Sequence, residues 1–231
     1  MTYRRRIYLS LTTGCRTIDT ALGGGLPRGN VTLIYGEAGS GKSTLALQTT
    51  VKAALKGFKV IYVDSDERLS SNRLLQMDEY IADDVLQRIM VLRPASFNEQ
   101  TYIVESLDRY IGRGVALIIL DSVTKLYRIE LSETKDPFGL NRELNRQMAY
   151  LSKTAKIFNL VCLSVSQVRS LEEGGLEPVA SRVLKFWSPV VIKMELTGKP
   201  NLRRICVEKN EVTGKRAMAT VLITPRGLEE V

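Results

Sequence analysis

The residues best placed to do chemistry are Gly36-Glu37-Ala38-Gly39-Ser40-Gly41-Lys42-Ser43, which fit the spacing G-x-x-x-x-G-K-[ST], with Thr44 directly behind. Small residues at these positions let successive backbone N–H groups curl around a phosphate. A lysine in the seventh position puts a cation on the β and γ oxygens, and the following hydroxyl suits Mg²⁺ at the start of a helix whose dipole favours an anion. The pattern points to a nucleoside triphosphate with Mg²⁺. A partner carboxylate is available in Asp121, which ends the apolar run Val115-Ala-Leu-Ile-Ile-Leu120. Placed beside the phosphate loop it would hold the metal with Ser43; its plainer use would be to cap a helix starting after Ser122. Acidic residues after a second strand, within Asp64-Ser-Asp-Glu-Arg-Leu-Ser-Ser-Asn-Arg73, supply candidates for polarising the attacking water: Asp66 and Glu67.

These groups need a scaffold that brings strand ends together. Val31–Tyr35, Lys59–Val63, Ile89–Leu92, Val115–Leu120 and Leu160–Val165 are short β-branched or apolar runs, and they alternate with helical patterns over Ser43–Lys56 and Arg142–Phe158. In the second helix Leu144, Met148, Leu151 and Ala155 recur at spacings of three or four. Alternation of this kind predicts an α/β fold with a mostly parallel central sheet and helices on both faces. After Val190 the pattern changes. Val190–Glu195, Arg203–Lys209 and Ala217–Thr224 read as strands separated by turns without a helix, which predicts antiparallel additions at one edge. No linker or internal repeat interrupts residues 1–231, so a single domain is expected.

Composition removes several alternatives. The 231 residues contain no histidine, which excludes Ser-His-Asp hydrolysis and every His-ligated metal centre. Three cysteines, Cys15, Cys162 and Cys206, form no C-x-x-C pair; Cys162 and Cys206 sit inside apolar strand-like runs and read as small buried apolar residues. The longest apolar run is six residues, far short of a membrane span, and no apolar segment follows the basic start, so a cytoplasmic protein without membrane association is expected. The net charge is +8, and Arg182 to Arg216 holds nine basic residues against three acidic ones. A basic stretch near a nucleotide site suits nucleic acid, although a solvated face would look the same.

Taken together, the lead-in Leu11 to Gly29, the phosphate loop, Tyr62-Val-Asp-Ser-Asp66, Leu120 to Arg128, Asn145-Arg-Gln147 and Ser164-Val-Ser-Gln167 resemble the archaeal RadA and RadB proteins of the RecA recombinase superfamily. The lack of a helix-hairpin-helix region ahead of the core makes the chain similar to the RadB-type paralogs. The resemblance implies a RecA-like ATPase core, binding of single-stranded DNA, and work alongside a main RadA-type recombinase, with the oligomeric state left open. It implies that Asp66 stands at the catalytic glutamate position, that Arg73 stacks on adenine, and that Gln167 senses the γ-phosphate and relays it to a DNA loop over Val168–Ser181. An earlier DNA loop would span Ile129–Asn141. Arg128, Arg169, Arg182 and Lys185 flank or lie within the two loops and are the expected DNA contacts.

Departures from that family pattern matter too. Asp66 is one methylene shorter than glutamate, Pro178-Val-Ala-Ser-Arg182 stands where the family has Gly-Gly-His, and no F-x-x-A motif lies near the N-terminus. Slow hydrolysis and an accessory role are therefore expected in place of autonomous strand exchange. Two rival readings remain at this level. One is a KaiC-like ATPase using Asp66-Glu67 as an adjacent carboxylate pair, and the other is an adaptor that binds ATP without hydrolysing it.

Overall fold

The computed structural model describes residues 10–171 and 174–231. Its central feature is a nine-stranded sheet whose strands, in chain order, are β1 (Asn30–Gly36), β2 (Lys59–Asp64), β3 (Ile89–Leu92), β4 (Val115–Asp121), β5 (Val161–Ser166), β6 (Val190–Leu196), β7 (Leu202–Asn210), β8 (Met218–Thr224) and β9 (Gly227–Glu230). Across the sheet they run 9-8-7-6-1-5-4-2-3. From β6 to β3 neighbouring strands are parallel; β7, β8 and β9 add on in antiparallel fashion. The β-branched content of the central strands follows from their burial on both faces. Val31, Leu33 and Tyr35 point into one core, with Leu144, Met148 and Leu151, while Ile34 faces the other, with Leu45, Ala46 and Val51.

The helices that pack on this sheet or flank its strand ends include α1 (Arg16–Leu22), α2 (Lys42–Leu55), α3 (Lys125–Glu133), α4 (Pro137–Phe158) and α5 (Ser181–Trp187). Helix α4 starts five residues earlier than its apolar periodicity predicts. Asp136 caps it by accepting from Gly139 N–H at 2.8 Å, and Pro137 occupies the first turn, where its missing N–H costs nothing. As a result the expected DNA loop Ile129–Asn141 is mostly helical, and only 134–136 lie outside a helix. The second expected loop is also partly built: Val168–Ser170 pairs with Leu176–Pro178 as a small hairpin, and α5 begins at Ser181.

Two further expectations need correction. β6 lies parallel to β1, because α5 intervenes as a short crossover after the hairpin; only the later strands are antiparallel. β9 extends the edge by one strand more than the sequence predicts, since its four residues Gly-Leu-Glu-Glu carry no strand signal of their own. Tertiary contact holds β9 in place. Gln48 of α2, 5% exposed, donates its amide N–H to the Leu228 carbonyl (3.1 Å) and accepts the Leu228 N–H (2.8 Å). Cys162 is buried as expected, whereas Cys206, expected to be buried, is half-buried; Cys15 is buried as well. Among the described residues no helix is long and apolar enough to cross a membrane.

The Gln48 bridge gives a direct test. Gln48→Ala leaves a buried N–H and C=O of Leu228 unpaired, which costs about 1–3 kcal/mol for each group. A loss of about 2–4 kcal/mol in denaturant-induced unfolding is expected, with an ordinary m-value.

Candidate functional site

The phosphate loop connects β1 to α2. Gly36, at the end of β1, approaches β6 so closely that a Cβ there would lie 2.1 Å from the Met194 carbonyl oxygen, so no other residue fits. Gly41, at φ 95°, makes the left-handed turn into α2. The Lys42 ammonium donates to the carbonyls of Gly36 (2.7 Å) and Glu37 (2.6 Å). Burial lowers its pKa to about 8, aided by Arg68 and opposed by Asp121 and Asp66. A cation held this way, partly desolvated among carbonyls, is suited to exchange onto phosphate oxygens.

A cavity of about 440 Å³ opens above the loop. Ala38, Gly39, Gly41, Lys42, Ser43 and Thr44 contribute one wall. Glu37 offers only its carbonyl to Lys42, and Ser40 is fully buried inside the loop. The opposite wall holds Asp66, Asp121, Arg128 and Gln167. A larger hollow, about 540 Å³, lies beyond Gln48 against Leu228, Glu229 and Glu230. Its rim mixes Lys52 and Arg226 with Asp78 and Glu229, and it lacks any anion-binding loop.

Asp121 is 1% exposed at the end of β4. Register brings it beside Asp64 of β2 and Val165 of β5. The Tyr62 hydroxyl donates to its Oδ2 at 2.8 Å, whereas Oδ1 is buried without a hydrogen-bond partner among the described residues. Burial raises its pKa to about 6; the Tyr62 and Ser43 hydroxyls oppose that rise and the Asp66 and Asp64 carboxylates add to it. A buried, unpaired carboxylate oxygen facing a serine hydroxyl fits a hard divalent cation such as Mg²⁺.

The two acidic candidates separate. Asp66 faces the cavity, accepting from the Ser122 hydroxyl at 3.2 Å and lying 3.5 Å from the Arg68 guanidinium. Glu67 takes a left-handed φ of 55°, is exposed and does not line the cavity. The adjacent carboxylate pair of the KaiC-like reading is therefore split by the backbone.

Other expected residues lie away from the cavity or have internal partners. Arg73 donates to the Pro225 carbonyl (2.6 Å) in the turn between β8 and β9, outside the cavity lining. Arg128, expected at DNA, lies in the first turns of α3, lines the cavity and bonds the Gln167 side chain. Arg169 is paired with Glu177 across the hairpin. Lys185 lies 3.4 Å from Glu208 and over the Tyr35 ring. Arg182 is exposed, with no carboxylate within 4.0 Å among the described residues. Sequence reasoning missed Tyr62, Ser122 and Arg68 as neighbours of the site, because only strand register and the folded loops bring them there.

The burial of Asp121 carries a stability consequence. A carboxyl whose folded pKa lies above its unfolded value binds its proton more tightly when folded. The resulting destabilisation develops as pH rises from 3.8 to about 6 and is complete above that. At about 1.4 kcal/mol per pH unit this amounts to about 2–3 kcal/mol. Asp121→Asn, which can still accept from Tyr62, should raise the stability of the ligand-free protein at pH 7.5 by about 1–3 kcal/mol in urea unfolding. It should add little at pH 4.

Comparison with known proteins accords with this geometry. A family model described as Rad51 matches residues 4–211. The chain is 35% identical over 225 residues to the DNA repair and recombination protein RadB of Thermococcus kodakarensis, covering 96% of this chain and 99% of that one. It is 32% identical over 213 residues to RadB of Methanococcus maripaludis, covering 92% and 96%. Among solved structures, the crystal structure of the RadB recombinase superposes with a TM-score of 0.83 at 35% identity, covering 96% of this chain and 99% of the other. With a matching family model over most of its length, and the sheet order and phosphate loop described above, the chain belongs to the Rad51 family, among its RadB-type members.

Proposed function

We propose that this chain is a single-domain, cytoplasmic recombinase paralog that binds Mg²⁺–ATP and single-stranded DNA, hydrolyses ATP slowly, and assists a RadA-type recombinase in homologous recombination and repair. The observation that carries the reading is the convergence of Lys42, the unpaired Oδ1 of Asp121, Asp66 and Gln167 on one cavity. Lys42 binds the β and γ phosphate oxygens, with the loop N–H groups around the β-phosphate. Ser43 and Asp121 would hold Mg²⁺, which would supply positive charge to the phosphate oxygens. Asp66 accepts a hydrogen bond from the attacking water and orients it toward the terminal phosphorus. Gln167 reads the terminal phosphate at the root of the hairpin that leads to α5.

The short reach of Asp66 supports slow turnover, and the position of Glu67 outside the cavity argues against the paired-carboxylate alternative. Proximity to Glu177 and Glu208 weakens the case for Arg169 and Lys185 as DNA contacts; Arg182 is the strongest of the four.

Steady-state hydrolysis with and without single-stranded DNA tests the reading. Turnover that DNA stimulates supports it; DNA-indifferent turnover supports a KaiC-like enzyme, and none at all an adaptor. Lys42→Ala removes a charge-assisted contact of about 1.5–3 kcal/mol, so ATP affinity by calorimetry should fall at least about tenfold. Asp66→Glu should raise kcat, while Asp66→Asn should lower it by about 10²-fold or more. For DNA, Arg182→Ala should reduce the slope of log affinity against log salt by about 0.7 in fluorescence anisotropy. An unchanged slope would remove Arg182 from the DNA surface.

A further inference from the structure

Arg128 sits in the first turns of α3, four residues after Thr124, which ends the turn that follows β4. Its guanidinium lines the phosphate cavity and donates to the Oε1 of Gln167. No carboxylate lies within 4.0 Å of it among the described residues, so the neutral amide oxygen is its bonded partner. The backbone of Gln167 is fixed from three sides. Its N–H donates to Thr124 Oγ1 (3.0 Å), and its carbonyl accepts from the Val179 N–H (3.0 Å) and the Ser166 hydroxyl (2.8 Å). Val179 lies between the small hairpin and α5. The side chain of Gln167 is thus tied by a single cation, and its backbone is tied to the segment that leads into α5.

A phosphate oxygen is a better acceptor for guanidinium than an amide oxygen, because both partners are then charged and the planar fork can bond twice. The Gln167 amide and a terminal phosphate in this cavity would therefore compete for the same group. We infer that Arg128 is a positioning residue that lets the site tell a nucleoside triphosphate from a diphosphate. A γ-phosphate draws the guanidinium away from Gln167, the freed amide turns toward the phosphate, and the Val179–α5 segment shifts with it. A diphosphate leaves the Arg128–Gln167 bond closed. The inference rests on the proposed binding of ATP and adds an internal competition that produces the response.

The single tryptophan, Trp187, ends α5 and donates its indole N–H to Asn145 Oδ1 of α4 at 2.9 Å, so its emission reports on this segment. Calorimetry gives the affinities for Mg²⁺–ADP and Mg²⁺–ATPγS, and Trp187 emission is recorded with each. For the wild type, ATPγS should bind about tenfold more tightly than ADP, with an emission change that ADP does not produce. Arg128→Gln should bring the affinity ratio close to one and abolish the ATPγS-specific change, and Arg128→Lys should restore part of both. An Arg128→Gln protein that keeps the wild-type ratio and emission change overturns the inference. So does one that weakens both nucleotides equally, or a wild type whose emission is the same with either nucleotide. If the folded wild type binds neither nucleotide, the ATP-binding reading itself fails and the inference falls with it.

Discussion

The carboxylate of Asp121, 1% exposed at the end of a central parallel strand, is the constraint around which the site is arranged. Burial of an ionised group is unfavourable unless it is bonded, and among the described residues the Tyr62 hydroxyl bonds its Oδ2 while Oδ1 has no partner. The backbone around it is used fully: the Asp121 carbonyl accepts the N–H groups of Ser65 (2.8 Å) and Asp66 (3.3 Å), and the Val123 N–H reaches the Val165 carbonyl (2.9 Å). Strand ends β2, β4 and β5 are locked together at the point where the unpaired oxygen emerges. The fold accepts a local loss of stability to keep one carboxylate oxygen without a partner among the described residues, a pattern common to functional sites.

The phosphate loop depends on that arrangement from the other side. Gly36 is pressed against the β6 backbone, so the loop's start is fixed by the sheet, while Lys42 bridges back to the loop's own carbonyls. From the edge sheet, Arg203 of β7 donates to the Gly39 carbonyl at 3.0 Å, tying the crown of the loop to the antiparallel extension. The C-terminal strands therefore do more than close the sheet. They brace the loop through Arg203, hold α2 through Gln48 and anchor Arg73 through Pro225.

Basic residues behave differently from what net charge alone suggests. Of the four expected at DNA, one enters the phosphate cavity, two sit beside carboxylates and one faces solvent. Paired surface charges of this kind contribute little to stability but do orient elements. Arg169–Glu177 staples the hairpin after Gln167, and Lys185 packs against Tyr35 under α5. These contacts stiffen the segment that connects the nucleotide cavity to α5.

The sequence by itself determined the phosphate loop, the carboxylate at the end of β4, the alternating α/β order and the absence of histidine chemistry. Those features are local: a spacing of glycines, a run of β-branched residues and a composition need no knowledge of distant neighbours. It also supported a family resemblance strong enough to name candidate roles. Tertiary structure alone decided the rest. Strand register set Tyr62 against Asp121, a left-handed residue turned Glu67 away while Asp66 faced inward, and a proline-led cap turned an expected loop at 137–141 into helix. Likewise β9 exists because Gln48 bonds both polar groups of Leu228, 180 residues away, and Arg128 meets Gln167 because β4 and β5 are neighbours in the sheet. Such pairings depend on which strands lie side by side and on the direction each side chain leaves its backbone, and one-dimensional spacing carries neither.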